Sequence, residues 1–501
     1  MHSLFGKLSR VGFAGLVAII CSNVGIALAG SATWQSNPAT GDWNTAANWT
    51  PATVPNGLSD VATFAVSSQT QVNVSSSITL SGIVFQPNAS AFTITTSSSF
   101  ASILINGAGV TNNATIAQNF IIGAVGRDQG ELDFAGSATA GNAIYTESGS
   151  AVRNSFGGTT SFFNTSTAGT ATFFLNGGAA NSAAGGGVLF FDSSTAGQAD
   201  FTLNAGTVSG ATGGHVEFVN TSTAANATLT AKGGTNGAGG GTIFFFDDSS
   251  GGKANVVLNG NGTLDITGHN APGITIASLR GDGLVSLGSR QLGVKNGFDN
   301  VFEGVISGSG TFVKAGQAKL QLTNANSYTG GTTVRAGLLL VDNTSGSGTG
   351  TGAVQVDSGA LGGFGTISGA VTVGRNDPGN GAFLIPGQTV GHPGTLTILN
   401  GLTFASDGFY NVGLGRDSVA SKVVANTVTI QEGAQFAFGN NRGFSVPDGT
   451  VLTVIDNTGA TPIAGVFENL PEGFVFTDHG NRFEVTYQGG DGNDLTLTSI
   501  P

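Results

Sequence analysis

Between residues 134 and 260 apolar and polar positions alternate in short bursts that recur on a fixed period. Five copies begin FAGSATAGNAIY at Phe134, FFNTSTAGTATF at Phe162, FFDSSTAGQADF at Phe190, FVNTSTAANATL at Phe218 and FFDDSSGGKANV at Phe245, so the steps are 28, 28, 28 and 27 residues. Each copy holds an aromatic-led strand, a Ser/Thr/Gly turn, an Ala, a second short strand and a connection rich in Gly, Ala and Asn. Alternation over a few residues is the mark of a half-buried strand. No apolar pattern of helical period occurs beyond the first 29 residues, which excludes helical repeats. A β-sandwich or propeller would have longer strands of more even spacing.

A 28-residue unit with two or three short strands cannot bury its own apolar face, whereas a stack of such units can. Equivalent residues then form ladders about 4.8 Å apart. Phe162, Phe190, Phe218 and Phe245 are expected to form one aromatic column inside the stack. Asn164, Asp192, Asn220 and Asp247 are expected to form a polar ladder at a turn. There amide and carboxylate alternate, which keeps like charges from facing each other. The glycines fit the corners, where a positive φ or close backbone approach is required. The pattern predicts an all-β fold, a right-handed parallel β-helix (β-solenoid) with an N-terminal cap.

A second signature follows. FEGVISGSGTFVKAGQAKLQLTNANSYTGGTTVRAGLLLV, residues 302–341, resembles the autotransporter-associated β-strand repeat, also called the passenger-associated transport repeat. Lys314, Gly316, Leu320 and Leu322 match its first strand pair. Asn326, Tyr328, Thr329, Gly330, Gly331, Thr332 and Val334 match its central motif, and Ala336, Gly337 and Leu339 its last part. Ala318 stands where the family prefers Gly. Gly330 and Gly331 are expected to make one corner and Gly337 the next. Weaker echoes lie at residues 278–297 and 359–374, and the segments at 391–404, 451–476 and 485–498 resemble the closing part of passenger-type proteins. No strand series of the length and number of a membrane barrel is evident. The resemblance therefore implies a passenger-like extracellular solenoid without its own transporter domain. Residues 30 to 500 would make roughly 17–20 coils and a rod on the order of 80–100 Å.

The organisation expected is a signal peptide at 1–29, a Trp-rich cap at 30–66, a β-helix with 28-residue repeats at 67–300, the transport repeat at 301–375 and a β-rich closing segment at 376–501. The signal rests on Lys7 and Arg10, an apolar run and Ala27-Leu28-Ala29, with cleavage after Ala29. Cys21 lies inside it, so the mature chain has no thiol and no disulfide. All three tryptophans, Trp34, Trp43 and Trp49, fall in the cap, where they are expected to cover the open end of the solenoid rather than stack on a ligand. Asp60 is expected to tether its turn.

Composition agrees with this picture. Gly is 83 of 501 residues, and charged residues are 9%, against about 25% in a typical chain. The 34 Phe and many Val, Ile and Thr argue against disorder. Removing Lys7 and Arg10 takes the net charge from −12 to −14. With no basic patch, nucleic acid is excluded as a partner, and no later segment is long and apolar enough to span a bilayer as a helix.

Candidate chemistry is sparse. His2, His215, His269, His392 and His479 are far apart and read as solvated turn residues. Asp491 and Asp494 in GGDGNDLTL resemble one unit of a calcium-binding nonapeptide repeat, but tandem copies are lacking. Asp247 and Asp248 with Arg280 or Lys253 are too few for a β-helical polysaccharide lyase. No catalytic, cofactor-binding or metal residue is assigned, and no cofactor is expected. The function expected is a secreted or cell-surface, adhesin-like solenoid that is not an enzyme, with glycans or other surface proteins as partners. The alternative is a polysaccharide lyase or glycoside hydrolase on the same scaffold, which would show a groove with two carboxylates or an acidic metal cluster beside Arg.

Overall fold

The computed structural model describes residues 30–96, 101–126, 128–377, 379, 381–389, 391–439 and 443–501. The expected signal peptide, with His2 and Cys21, lies outside the described residues. The described chain is all-β apart from two single 3-10 turns, Ala46–Asn48 and Arg416–Ser418.

The strands stack as rungs of a parallel β-helix. One sheet runs from the cap through Glu131–Phe134, Thr159–Phe162, Gly187–Phe190, His215–Phe218 and Thr242–Phe245 to Val305–Ser307. A second runs from Gln71–Val74 through Ile144–Glu147, Thr172–Leu175, Asp200–Leu203 and Thr228–Ala231 to Gln435–Gly439. In most of these four-residue strands the second and fourth residues point inward, as a two-residue pleat requires. The register is in phase across the repeats: Phe134, Phe162, Phe190, Phe218 and Phe245 are direct partners.

These rings form the expected column, with centroids 4.9, 4.7, 4.9 and 4.8 Å apart and planes within 7 to 13°. The second sheet supplies another, Phe120–Tyr145–Phe173–Phe201, at 4.9, 4.8 and 4.8 Å. The two meet edge-to-face at 6.0 to 6.1 Å. Ring faces are satisfied along the axis and ring edges across it, the two favoured geometries of aromatic pairs.

The polar ladder also forms. Asn164, Asp192, Asn220 and Asp247 all have positive φ, between 52 and 57°. These residue types tolerate the left-handed region. The side-chain oxygens of Asp192, Asn220 and Asp247 accept from the backbone N–H of the residue one coil earlier, at 2.8, 3.0 and 3.2 Å. The side chain therefore ties a corner that glycine could only permit. In the connections, close approach is what demands glycine: a Cβ on Gly185 would lie 2.2 Å from the Gly213 carbonyl oxygen, and one on Gly213 2.2 Å from that of Gly240.

A third sheet begins at Gly273–Ile276 and takes over as the first one ends. Leu292, Phe312, Thr332, Val354 and Val371 are successive partners there, so the step drops to 20, 20, 22 and 17 residues. Val451–Asn457 still pairs parallel with Lys422–Ile430 on one side, and its other side opens the antiparallel end. Val451–Asn457, Asp494–Ile500, Asn481–Gly489 and Val475–Asp478 pair antiparallel in that order. The parallel rungs stop short of the chain's end for this reason, and the GGDGNDLTL segment makes the hairpin turn at 490–493 and the start of the strand Asp494–Ile500.

At the other end Trp34, Trp43 and Trp49 are fully buried around Phe64, with ring centroids 4.8 to 6.0 Å apart. Each indole N–H donates to a carbonyl: Trp34 to Gln69, Trp43 to Pro55 and Trp49 to Trp43. No face is left for a ligand. Asp60 accepts from the Asn56 N–H at 3.1 Å, tying its turn as expected.

Candidate functional site

The transport-repeat residues converge on one stretch of the solenoid, and their polar atoms are consumed there. Phe312–Lys314, Thr332–Val334 and Val354–Val356 are neighbouring rungs of the third sheet. Lys314 alternates with Phe312 and so points inward. It is fully buried, and its Nζ donates to the carbonyls of Gly316 and Ala336, two corner residues one coil apart. Burial lowers its pKa to about 8.

Asn326 works the next corner. Its Oδ1 accepts from the Ile306 N–H at 2.8 Å and its Nδ2 donates to the Gly348 carbonyl at 2.6 Å, so one side chain bonds the coils on either side. Tyr328 is buried with its hydroxyl 2.6 Å from the Thr332 Oγ1. Burial pushes its pKa well up, so it is a neutral hydrogen-bonding phenol. Gly331 has φ +94° and Gly337 +67°, which places both at corners, while a Cβ on Gly330 would meet the Gly310 carbonyl oxygen at 2.4 Å. The spacing Asn-x-Tyr-x-x-x-Thr is thus a folding device: amide across coils, ring into the core, hydroxyl closing on hydroxyl. Lys314→Met leaves two corner carbonyls without their donor. It is expected to cost about 1–3 kcal/mol, read as faster amide exchange in residues 312–341 with distant coils unchanged.

The other sequence candidates do not assemble into one site. Asp247 accepts from Asn220, Asp248 accepts from the Asn270 Nδ2 at 3.1 Å, and Arg280 lies 5.4 Å from the Phe298 ring centroid. The Asp494 Oδ1 accepts from the Asn457 N–H at 2.9 Å; burial pushes its pKa up, while Asp491 is exposed on the hairpin turn. His215 stands half-buried on the outer face of a strand, and His392 and His479 are exposed, contacting Thr389 and Asp478. His269 differs from expectation. It is buried, with Nδ1 and Nε2 at 2.5 and 2.6 Å from the carbonyl oxygens of Asn270 and Ser249, because it fills the junction where the third sheet begins. Among the described residues no three His, Cys, Asp or Glu side chains cluster as metal ligands do.

Two groups of charged residues were not anticipated. Glu147 is buried inside the coil, where its neighbours along the ladder are Ile122 and Leu175. Its Oε1 accepts from the buried Thr160 hydroxyl at 2.8 Å and its Oε2 has no partner. Burial raises its pKa to about 8. The signal was in the repeat: copies below carry Leu175 and Leu203 in place of Glu147, and Val188 and Val216 in place of Thr160. On the surface, Arg335 and Arg375 both lie 3.9 Å from the Asp357 Oδ2, and Arg375 pairs with Asp377 at 2.9 Å. Arg335, Asp357, Ser358 and Arg375 line an open groove of about 320 Å³.

Fold and motif together define a parallel β-helix built partly from transport repeats. Residues 312–341 match the passenger-associated-transport-repeat family. The chain is 28% identical over 204 residues to an extracellular serine protease of Serratia marcescens, covering 38% of this chain and 17% of that protein. It is 39% identical over 100 residues to the adhesin BmaC autotransporter of Brucella suis biovar 1, covering 19% of this chain and 3% of that protein. Residues 312–341 thus carry a passenger-associated transport repeat, and stretches of the chain are similar to parts of an autotransporter adhesin and of an extracellular protease. The matched segments are a small part of either relative's length. Among the described residues no helix is long and apolar enough to cross a membrane.

Proposed function

We propose that the chain is a secreted or cell-surface solenoid with a structural or adhesive role and no catalysis of its own. The observation that carries this reading is the fate of the motif's polar groups. Lys314, Asn326, Tyr328 and Thr332 are all spent on bonds within and between coils. The outward strand positions are largely uncharged, with Thr146, Phe174, Thr202 and Thr230 in one column, suited to weak contacts repeated along a rod. The likeness to an adhesin supports the same reading. Its partners would be glycans or surface proteins, and its place the outside of the cell.

A second reading draws on the groove at Arg335, Asp357 and Arg375, where two guanidinium groups flank a carboxylate. That set would suit an acidic polysaccharide and an enzyme acting on it. The likeness to a serine protease also bears on catalysis, as a property of that relative. One experiment separates the readings. Beads coated with the purified chain are expected to adhere to cells, while neutral and acidic polysaccharides and casein remain intact in its presence. Depolymerisation or proteolysis that disappears in Asp357→Asn or Arg375→Ala would favour the enzyme. Absence of adhesion would sink the adhesive role.

A further inference from the structure

The Gly/Ala/Asn-rich side of the 28-residue coils carries a groove of about 430 Å³ lined by Asn154, Ser155, Phe156, Ser182, Ala184, Gly210 and Thr212. The coil register explains its shape. Gly157, Gly185 and Gly213 stack along the axis, each facing the carbonyl of the next. The residues just before them, Phe156, Ala184 and Thr212, therefore occupy equivalent places on three successive coils. Side-chain volume falls abruptly from ring to methyl, so the Phe156 ring overhangs a depression floored by small residues. Phe156 is 60% exposed, more than any other aromatic among the described residues.

The polar groups there are unevenly used. Ser155, only 3% exposed, is one of the lining residues, and its hydroxyl is buried beside the groove with no protein partner. A buried hydroxyl without a partner is costly and rare. The Thr212 Oγ1 accepts from the Gly185 N–H at 3.1 Å, and the Ser182 Oγ donates to the Asn181 Oδ1 at 3.1 Å. No charged side chain lines the groove. Backbone N–H groups of the floor are engaged along the axis: Ala184 with Ser155 at 2.9 Å, Ser182 with Gly210 at 3.0 Å and Thr212 with Ala183 at 3.0 Å. An added peptide strand would find no row of free donors to pair with. What remains is one aromatic face, an unpaired hydroxyl and hydroxyl and amide edges over about 10 Å, two coil steps.

We propose that this groove is a subsite for a neutral oligosaccharide, with a pyranose ring packed on the face of Phe156 and a sugar hydroxyl bonded to the Ser155 Oγ. The face of an aromatic ring is electron-rich and attracts the polarised C–H groups of a sugar. The uncharged lining matches a neutral chain, and the length matches two sugar units. The inference names a ligand for the adhesive reading and rests on it.

The test is a neutral-oligosaccharide array probed with the purified chain, followed by calorimetry on the best binder. Binding is expected, weakened about tenfold by Phe156→Ala and also weakened by Ser155→Ala. Ala184→Leu, which fills the depression, is expected to abolish it. Thermal unfolding of each variant checks that the coils remain intact; an unfolded variant is set aside and the other two decide. Binding that all folded variants retain, or no binding to any neutral oligosaccharide, overturns the proposal. If beads coated with Phe156→Ala still adhere to cells as the parent does, the subsite falls while the adhesive role stands. If the parent fails to adhere yet its binding on the array depends on Phe156, the reverse holds.

Discussion

Phe190→Ala is expected to destabilise its part of the solenoid by about 3–5 kcal/mol, the range for removing a buried phenyl ring. The ring loses face contacts with Phe162 at 4.7 Å and Phe218 at 4.9 Å and an edge contact with Phe201 at 6.0 Å. Rungs above and below keep their spacing, because it is set by backbone hydrogen bonds, so the cavity cannot close. Phe190→Leu keeps most of the volume and is expected to cost about 1.5 kcal/mol. Phe191 is the internal control. Its ring stacks on Phe163 at 5.1 Å on the outer face and is only half-buried, so its loss to Ala should cost less than Phe190→Leu. In a stack where each coil touches only its neighbours, the damage stays local. Amide exchange in residues 159–218 should accelerate by at least about a hundredfold, with residues 312–341 unchanged. A uniform effect along the chain would contradict the one-dimensional picture.

The second large effect is a pH dependence of unusual sign. Glu147 keeps its proton to about pH 8 in the folded coil, because burial penalises the carboxylate, whereas an unfolded glutamate releases it near 4.5. Below 4.5 both states are protonated and the group is neutral in its effect. Between 4.5 and 8 the unfolded state binds fewer protons, so stability of this coil falls as pH rises, by about 5 kcal/mol in total at about 1.4 kcal/mol per unit. Asp133, raised to about 7 by burial and by the charge of Glu131, adds in the same direction. Lys314 acts oppositely in a later window: with its folded pKa lowered to about 8 from 10.5, its coil gains stability as pH rises from 8 to 10.5. The double substitution Glu147→Leu with Thr160→Val restores the residues of the copies below and should flatten the profile around residues 144–162. Thr160→Val alone removes the carboxyl's donor and should destabilise that coil. Denaturant titrations monitored by amide exchange at pH 5 and pH 8 check both, and a parent coil no weaker at pH 8 than at pH 5 would contradict the assignment.

Repetition made much of this legible. Once five copies align, a column such as Phe134 to Phe245 is a statement about space, and the Asn/Asp ladder follows because an amide or carboxylate at a left-handed corner can reach the preceding coil's N–H. Glu147 and Thr160 were visible by the same logic, as a polar pair standing in two apolar columns. Where the period breaks, legibility fails. His269 lies between the last 28-residue coil and the first short one, so no aligned copy told that its ring is enclosed by two carbonyls. Lys314 was readable as part of a motif, but its burial follows only from alternation with Phe312. The Phe156 groove depends on a size difference between copies in the least regular part of the repeat, which a consensus averages away. The antiparallel end has no period at all.

Mechanical behaviour follows from the axial direction of the inter-coil bonds. Tension applied along the rod loads the backbone bonds of one rung at a time, so the solenoid yields by peeling, turn after turn, at modest force. A sideways load would instead shear many of those bonds together. Pulled from its C-terminal side, the chain must first disengage strands that run antiparallel, Asp494–Ile500, then Asn481–Gly489 and Val475–Asp478, before any parallel turn can unwind. Extension would therefore come in steps of a coil's length, a graded give that spreads a sudden jolt over many small ruptures.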